Sequence, residues 1–334
     1  MVIRMAPDTA DHRAAASNGG GAGGGPAGSG ASSRAPSGAT PAAATASASQ
    51  TGAGPAASPP RSAPPAVEEL ELELLLEAIF QLHGYDFRGY ERAVLRRKLK
   101  AVMTQLGAAT LSALQDQVLH DAAAAAALLR ALYVTPTALF DDPQEVALLR
   151  ISLGVCLHGA ALPRVWLADC AGAQQAWTMA ILLEQEQLGA HTEIYATVAS
   201  DELLAEAQEA RLTLVQLAQL QLNYEQCGGT GPLRDYFVIE GEYAMLAPHL
   251  RSRITWAQYN LVTDASFNEF QMILCRRALA DFGPVLRQRV LRLFHDSLAP
   301  FGVLAIDRPL EAGDALAESY QSLLPPAPWY KRIA

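Results

Sequence analysis

Apolar residues recur at helical spacing through the first densely apolar stretch of the chain. Val67, Leu70, Leu74, Leu75, Ala78, Ile79 and Leu82 fall at i, i+3, i+4 intervals, and Gly84 follows as a natural stop. From about Tyr90 to Gln105, Val94, Leu95, Leu99 and Val102 line one side, while Arg92, Arg96, Arg97, Lys98 and Lys100 line the other. Leu111–Leu119 and Ala122–Leu132 read as two more helices, and residues 67–150 as an all-helical domain. After Pro163 the rhythm changes. Short apolar runs at Arg164–Ala168, Glu193–Val198, Phe270–Cys275, Gly302–Ile306 and Trp329–Ile333 predict strands. Helical patterns lie between them, over Gln174–Gln187, from Asp201 to about Leu220, and over Pro284–Ser297. Such alternation predicts an α/β fold, with a doubly wound sheet over residues 151–334 that binds ligands at the carboxyl ends of its strands. Three β-like pieces, Tyr236–Ile239, Tyr243–Leu246 and Arg253–Trp256, suggest a small antiparallel β insertion at about 236–256.

Composition removes the first 66 residues from this picture. They hold 11 of the 25 glycines and 9 of the 20 prolines, with almost no large apolar side chains. Such a segment cannot offset the entropy of ordering itself, so a disordered tail is expected over 1–66. The formal net charge is −9; the tail carries four Arg against Asp8 and Asp11, which leaves the remainder at −11. That balance argues against a general nucleic-acid binder. No apolar run approaches a membrane span, and the N-terminus has no hydrophobic signal core, so a cytoplasmic protein without membrane insertion is expected. The four cysteines, Cys156, Cys170, Cys227 and Cys275, lie far apart with no CxxC pair, which argues against a disulfide framework or a zinc site.

The order of parts, with a set of short fragments, resembles the CheR-type chemotaxis-receptor methyltransferases. The fragments are Phe87-Arg88-Gly89-Tyr90, Arg96-Arg97, Thr137-x-x-Phe140 with Asp142-Pro143, Trp166-x-Ala168-x-Cys170, Ile194-Tyr195-Ala196-Thr197, Asn260-Leu261, Cys275-Arg276 and Tyr330-x-Arg332. Each is weak alone; together they cover about Leu72 to Ile333. The resemblance implies methyl transfer from S-adenosylmethionine to receptor glutamates by a Rossmann-like domain. It assigns Thr137, Asn260, Leu261 and Arg276 to the cofactor. Arg92, Arg96 and Arg97 become a docking face for a chemoreceptor or related signalling protein. The plainer alternatives are that the first four are structural relics and the basic row an ordinary solvated face.

Against that pattern, the chemistry is altered. The family's loop Gly-Cys-Ser-Thr-Gly-Glu-Glu reads here Asp169-Cys170-Ala171-Gly172-Ala173-Gln174-Gln175, and the ribose-binding Asp at the end of the second strand is Val198. The family's Thr-x-Phe-Phe-Arg ends in Asp141, and its Asn and Tyr after the third strand are Arg277 and Asp281. Each lost hydrogen bond to a charged group is worth roughly 1.5–3 kcal/mol, so two would weaken the cofactor about 10²- to 10⁴-fold. Two function classes follow: a glutamate methyltransferase homologue with weak or lost activity, or a non-catalytic partner-binding protein on the same fold. A crevice repurposed for another small anion, drawn by Arg276-Arg277, is a third.

Overall fold

The computed structural model describes residues 66–333, leaving out Val134 and Ala315, so the expected tail lies outside the described residues except for Ala66. Four helices come first: α1 (Val67–His83), α2 (Arg92–Leu106), α3 (Leu111–His120) and α4 (Ala122–Leu132). Their ends follow local chemistry. Gly84 closes α1 in the left-handed region, and Thr110 and Asp121 accept the first free N–H groups of α3 and α4. Leu72, Leu75, Ile79, Leu95, Leu99, Leu114 and Leu128 form their common core.

Next comes α5 (Pro143–Leu157), capped by Asp142 with Pro143 in its first turn. A division at residue 150/151 would cut this helix in two. Its buried residues Val146, Leu149, Leu153 and Leu157 share a core with Val165 and Leu167 of the first strand.

The remaining elements are β1 (Arg164–Leu167), α6 (Gln174–Gln185), β2 (Glu193–Val198), α7 (Asp201–Gln208), β3 (Leu212–Thr213), α8 (Leu214–Gln226), β4 (Phe237–Glu240), β5 (Tyr243–Leu246) and α9 (Pro248–Arg251). After these follow β6 (Ile254–Gln258), β7 (Phe270–Cys275), α10 (Ala278–Asp281), α11 (Pro284–Ser297), β8 (Leu298–Ile306), β9 (Tyr320–Ser322) and β10 (Trp329–Arg332). Seven strands make one sheet in the order β6-β2-β1-β7-β8-β10-β9. The first five are parallel, and β10 runs antiparallel to both neighbours. Both faces are covered. Along β1, Val165 and Leu167 enter the core with α5 and α6, whereas Trp166 enters the one with α11. The strand order reverses between β1 and β7, which puts the expected binding crevice there.

Two expectations need correction. The third β-like piece, Arg253–Trp256, is not part of the insertion: as β6 it pairs in parallel with β2 at the sheet's edge. The insertion is instead β3-β5-β4, and its short β3 splits the single helix expected from Asp201. A two-residue strand lies below the length at which alternation is visible.

The helical module is stitched to the sheet by backbone. Glu91 N–H donates to the Asp281 carbonyl at 2.8 Å and Gly283 N–H to the Gly89 carbonyl at 2.9 Å, around a Tyr90–Phe282 bridge. A Cβ at Gly283 would stand 2.9 Å from the Gly89 oxygen, so this approach requires glycine.

Candidate functional site

At the end of β1 the chain turns sharply. Asp169 takes a left-handed backbone (φ 56°), Cys170 N–H donates to the Thr197 carbonyl at 2.7 Å, and α6 begins five residues after Asp169. Asp is among the few residues with a Cβ that occupy this region readily. Gln174, which opens α6, is committed: its Oε1 accepts Leu139 N–H at 2.7 Å. Burial pushes the Asp169 carboxyl up to about 7, with Lys98 pulling it down and Asp281 adding to the rise. Beside it, Tyr90 packs edge-on against Phe87 and Phe282, with centroids 5.0 and 5.1 Å apart. Burial, with Asp169 and Asp281 nearby, pushes the Tyr90 phenol well up.

The last residue of β2, Val198, has no acceptor side chain, and the Thr197 hydroxyl before it is occupied, accepting Trp166 Nε1–H at 2.9 Å. Val198 is 0% exposed and sits in the core shared with α5 and α6, while Ser200 caps α7. A cavity of about 380 Å³ lies further along this edge, lined by Tyr85, Gln258, Tyr259, Asn260 and Asp264 among others. Asn260 reaches it but is occupied: its Oδ1 accepts Val262 N–H at 2.9 Å, and its own N–H donates to Asp264 at 3.0 Å. Leu261 turns away into the core with α11, its carbonyl accepting from Arg289 at 2.8 Å.

On the other side, past β7, Arg276 is held between Asp141 (3.0 Å) and Glu145 (2.7 Å), with its side chain 12% exposed. Asp281 pairs with Lys98 at 2.6 Å, so Asp141 and Asp281 do not form an acid pair. A second cavity, of about 280 Å³, opens here, with Arg97, Arg277 and Asp307 in its wall. Thr137 is half-buried and lines neither cavity, nor does any residue of the 169–173 turn. Of the four residues the resemblance assigns to the cofactor, Asn260 lines the first cavity, Arg276 lines the second, and Thr137 and Leu261 line neither.

The basic face of α2 is divided as well. Arg92 pairs with Glu69 (3.5 Å) and Glu73 (3.7 Å), and Arg96 with Glu69 and Glu68, all on α1. Arg97 and Lys100 are exposed. Lys98 belongs to this row in the sequence, yet it points inward and also donates to the Leu132 and Tyr133 carbonyls at 2.9 and 3.0 Å. The sequence held the signal: Leu95, Lys98, Leu99 and Val102 share one i, i+3, i+4, i+7 stripe.

Burial raises a second acid nearby. Glu145 is pushed up to about 7 although Arg276 pulls it down. A carboxyl whose pKa rises on folding keeps its proton in the native state while the unfolded chain has already lost it. Stability then falls as pH climbs from about 4 to about 7. The thermal midpoint is expected to be higher at pH 5.5 than at pH 7.5, with Asp169→Asn shrinking the difference. A difference unchanged in that variant would contradict this.

Where the resemblance places the ribose acceptor stands the buried Val198, and where it places a close-approach glycine stands Asp169; past β7, Arg276 is paired with Asp141 and Glu145, whereas Arg277 keeps only a 3.9 Å contact to Asp141.

Comparison with known proteins gives two family matches. Residues 138–309 match the CheR methyltransferase SAM binding domain, and residues 70–133 the CheR methyltransferase all-alpha domain. Putative methyltransferase Cher3 of Pseudomonas putida is 33% identical over 238 residues, 71% of this chain and 87% of that one. A chemotaxis protein methyltransferase of Listeria innocua is 29% identical over 143 residues, 43% of this chain and 52% of that one. Chemotaxis protein methyltransferase 1 of Pseudomonas aeruginosa is 26% identical over 174 residues, 49% of this chain and 60% of that one. The matched part thus spans between half and three fifths of those two relatives. Among the described residues no helix is long and apolar enough to cross a membrane.

Proposed function

This chain belongs to the CheR methyltransferase family, and from that premise we propose that its methyl transfer to protein glutamate is weak or lost and that it acts by docking to a chemoreceptor or related signalling protein in the cytoplasm. The observation that carries the first half is the fully buried Val198 at the end of β2, where the resemblance places an acid that holds the cofactor's ribose. Valine accepts no hydrogen bond, and Val198 is packed into the core rather than turned toward the neighbouring cavity. Asp141, standing where the family has arginine, supports the same reading, because it presents a neutralised pair to an incoming carboxylate.

Docking rests on the unpaired part of the α2 face, Arg97 and Lys100, in a chain that is otherwise acidic. Arg92 and Arg96 contribute less, since a partner would have to displace the α1 glutamates first. The β insertion is the region the resemblance assigns to receptor tethering, and its β4 has Val238 and Ile239 exposed at the sheet's edge.

Calorimetric titration of the full chain with S-adenosylmethionine, and separately with S-adenosylhomocysteine, tests the reading. We expect dissociation constants of about 0.1 mM or weaker, as the loss of two charged contacts implies. Binding near micromolar strength would sink it and make receptor methylation the next assay.

A further inference from the structure

We infer that the cavity of about 280 Å³ past β7 is a binding site for a phosphoryl group, held between Arg97 of α2 and Arg277 beside α10. The inference follows from which charges in its wall are already used. Lys98 is spent on Asp281 at 2.6 Å and on two α4 carbonyls. Arg276 is spent on Asp141 and Glu145. That leaves Arg97, which makes no ion pair or hydrogen bond among the described residues, and Arg277, whose one ionic contact is a long 3.9 Å to Asp141. The remaining acid, Asp307, accepts Ala280 N–H at 3.1 Å, and burial raises its pKa, which lessens its repulsion of an anion.

The lining chooses the ligand class. Apart from Ala280 and Thr135 every residue in its wall carries a charged side chain and none is aromatic or branched aliphatic, so what would fix a ligand there is ionic contact rather than the stacking a nucleoside base needs. Two guanidinium forks on separate elements need acceptor oxygens in more than one plane. A carboxylate supplies one plane; a phosphoryl group supplies three oxygens and nearly two charges. Arg277 stands where the resemblance has asparagine, so the second fork is a feature of this chain. The site shares Arg97 with the docking face, but Arg277 lies off that face, so loss of phosphate binding in Arg277→Asn reports on this site and not on docking.

The test is calorimetric titration of the full chain with inorganic phosphate at low ionic strength, against chloride matched in ionic strength. Saturable phosphate binding is expected, weakened about tenfold or more by either Arg97→Gln or Arg277→Asn. Arg251→Gln, an exposed change on α9, is expected to leave it unchanged. Both arginines are solvent-facing, so thermal midpoints should stay near that of the parent, and Arg97→Lys should bind between parent and Arg97→Gln. O-phosphoserine binding more tightly than phosphate would put the group on a larger ligand, and the reverse would favour the free ion; either upholds the site. No saturation, equal displacement by chloride, or indifference to either substitution would overturn it.

Discussion

The variant Val198→Asp, which restores the acid that the family carries at the end of its second strand, is expected to lose on the order of 3–5 kcal/mol of stability and to gain no affinity for S-adenosylmethionine. Val198 is 0% exposed, its neighbours in the core are apolar, and its carbonyl is already used by Tyr259 N–H at 2.9 Å. A carboxyl placed there either ionises without a partner or folds protonated, and both cost free energy that a surface acid would not. The competing expectation is sharp. If the pocket were intact and merely short of one acceptor, stability would hold and affinity would rise about 10- to 150-fold. Urea denaturation and calorimetric titration of the same preparation separate the two.

Lys98→Met should be nearly as damaging, at about 3–5 kcal/mol, because it strands Asp281 as a nearly buried charge. The two side chains are 15% and 14% exposed, and the ammonium also satisfies the Leu132 and Tyr133 carbonyls. Adding Asp281→Leu should recover most of the loss, since two apolar groups replace an ion pair more comfortably than one orphaned acid does. Urea midpoints of the parent, both single variants and the double close the cycle. A loss under about 1 kcal/mol for Lys98→Met would mean the pair behaves like an exposed one.

Much of the architecture was legible in the chain. Helices α4 and α11 fall where their apolar spacing put them, and the strands of the sheet centre follow from runs such as Phe270–Cys275, which are apolar on both faces and therefore conspicuous. What periodicity could not resolve were elements whose identity depends on a distant partner. The stretch Ile254–Gln258 reads the same whether it pairs with the insertion or with β2, and only tertiary contact decides. In the site, the altered positions were visible in sequence but their consequences were not. Asp141 looked like a free acid that would repel a carboxylate; its partner Arg276 lies 135 residues away. Lys98 looked solvated for the same reason, because Asp281 is 183 residues distant. Pairwise neutralisation across such separations has no local signature.

The seam between the two modules bears on how members of this family can be recombined. Gly89 and Gly283 approach within hydrogen-bond distance, and Lys98 and Asp281 meet a few residues away, so four positions drawn equally from the two halves make one joint. A chimera that took its helices from a relative with a different residue at position 98 would bring an unmatched charge to Asp281, and a relative's sheet with a side chain at position 283 would collide with the incoming loop. The two halves are therefore heritable only as a matched set: a crossover between them separates Lys98 from Asp281 and Gly89 from Gly283, a lock from its key.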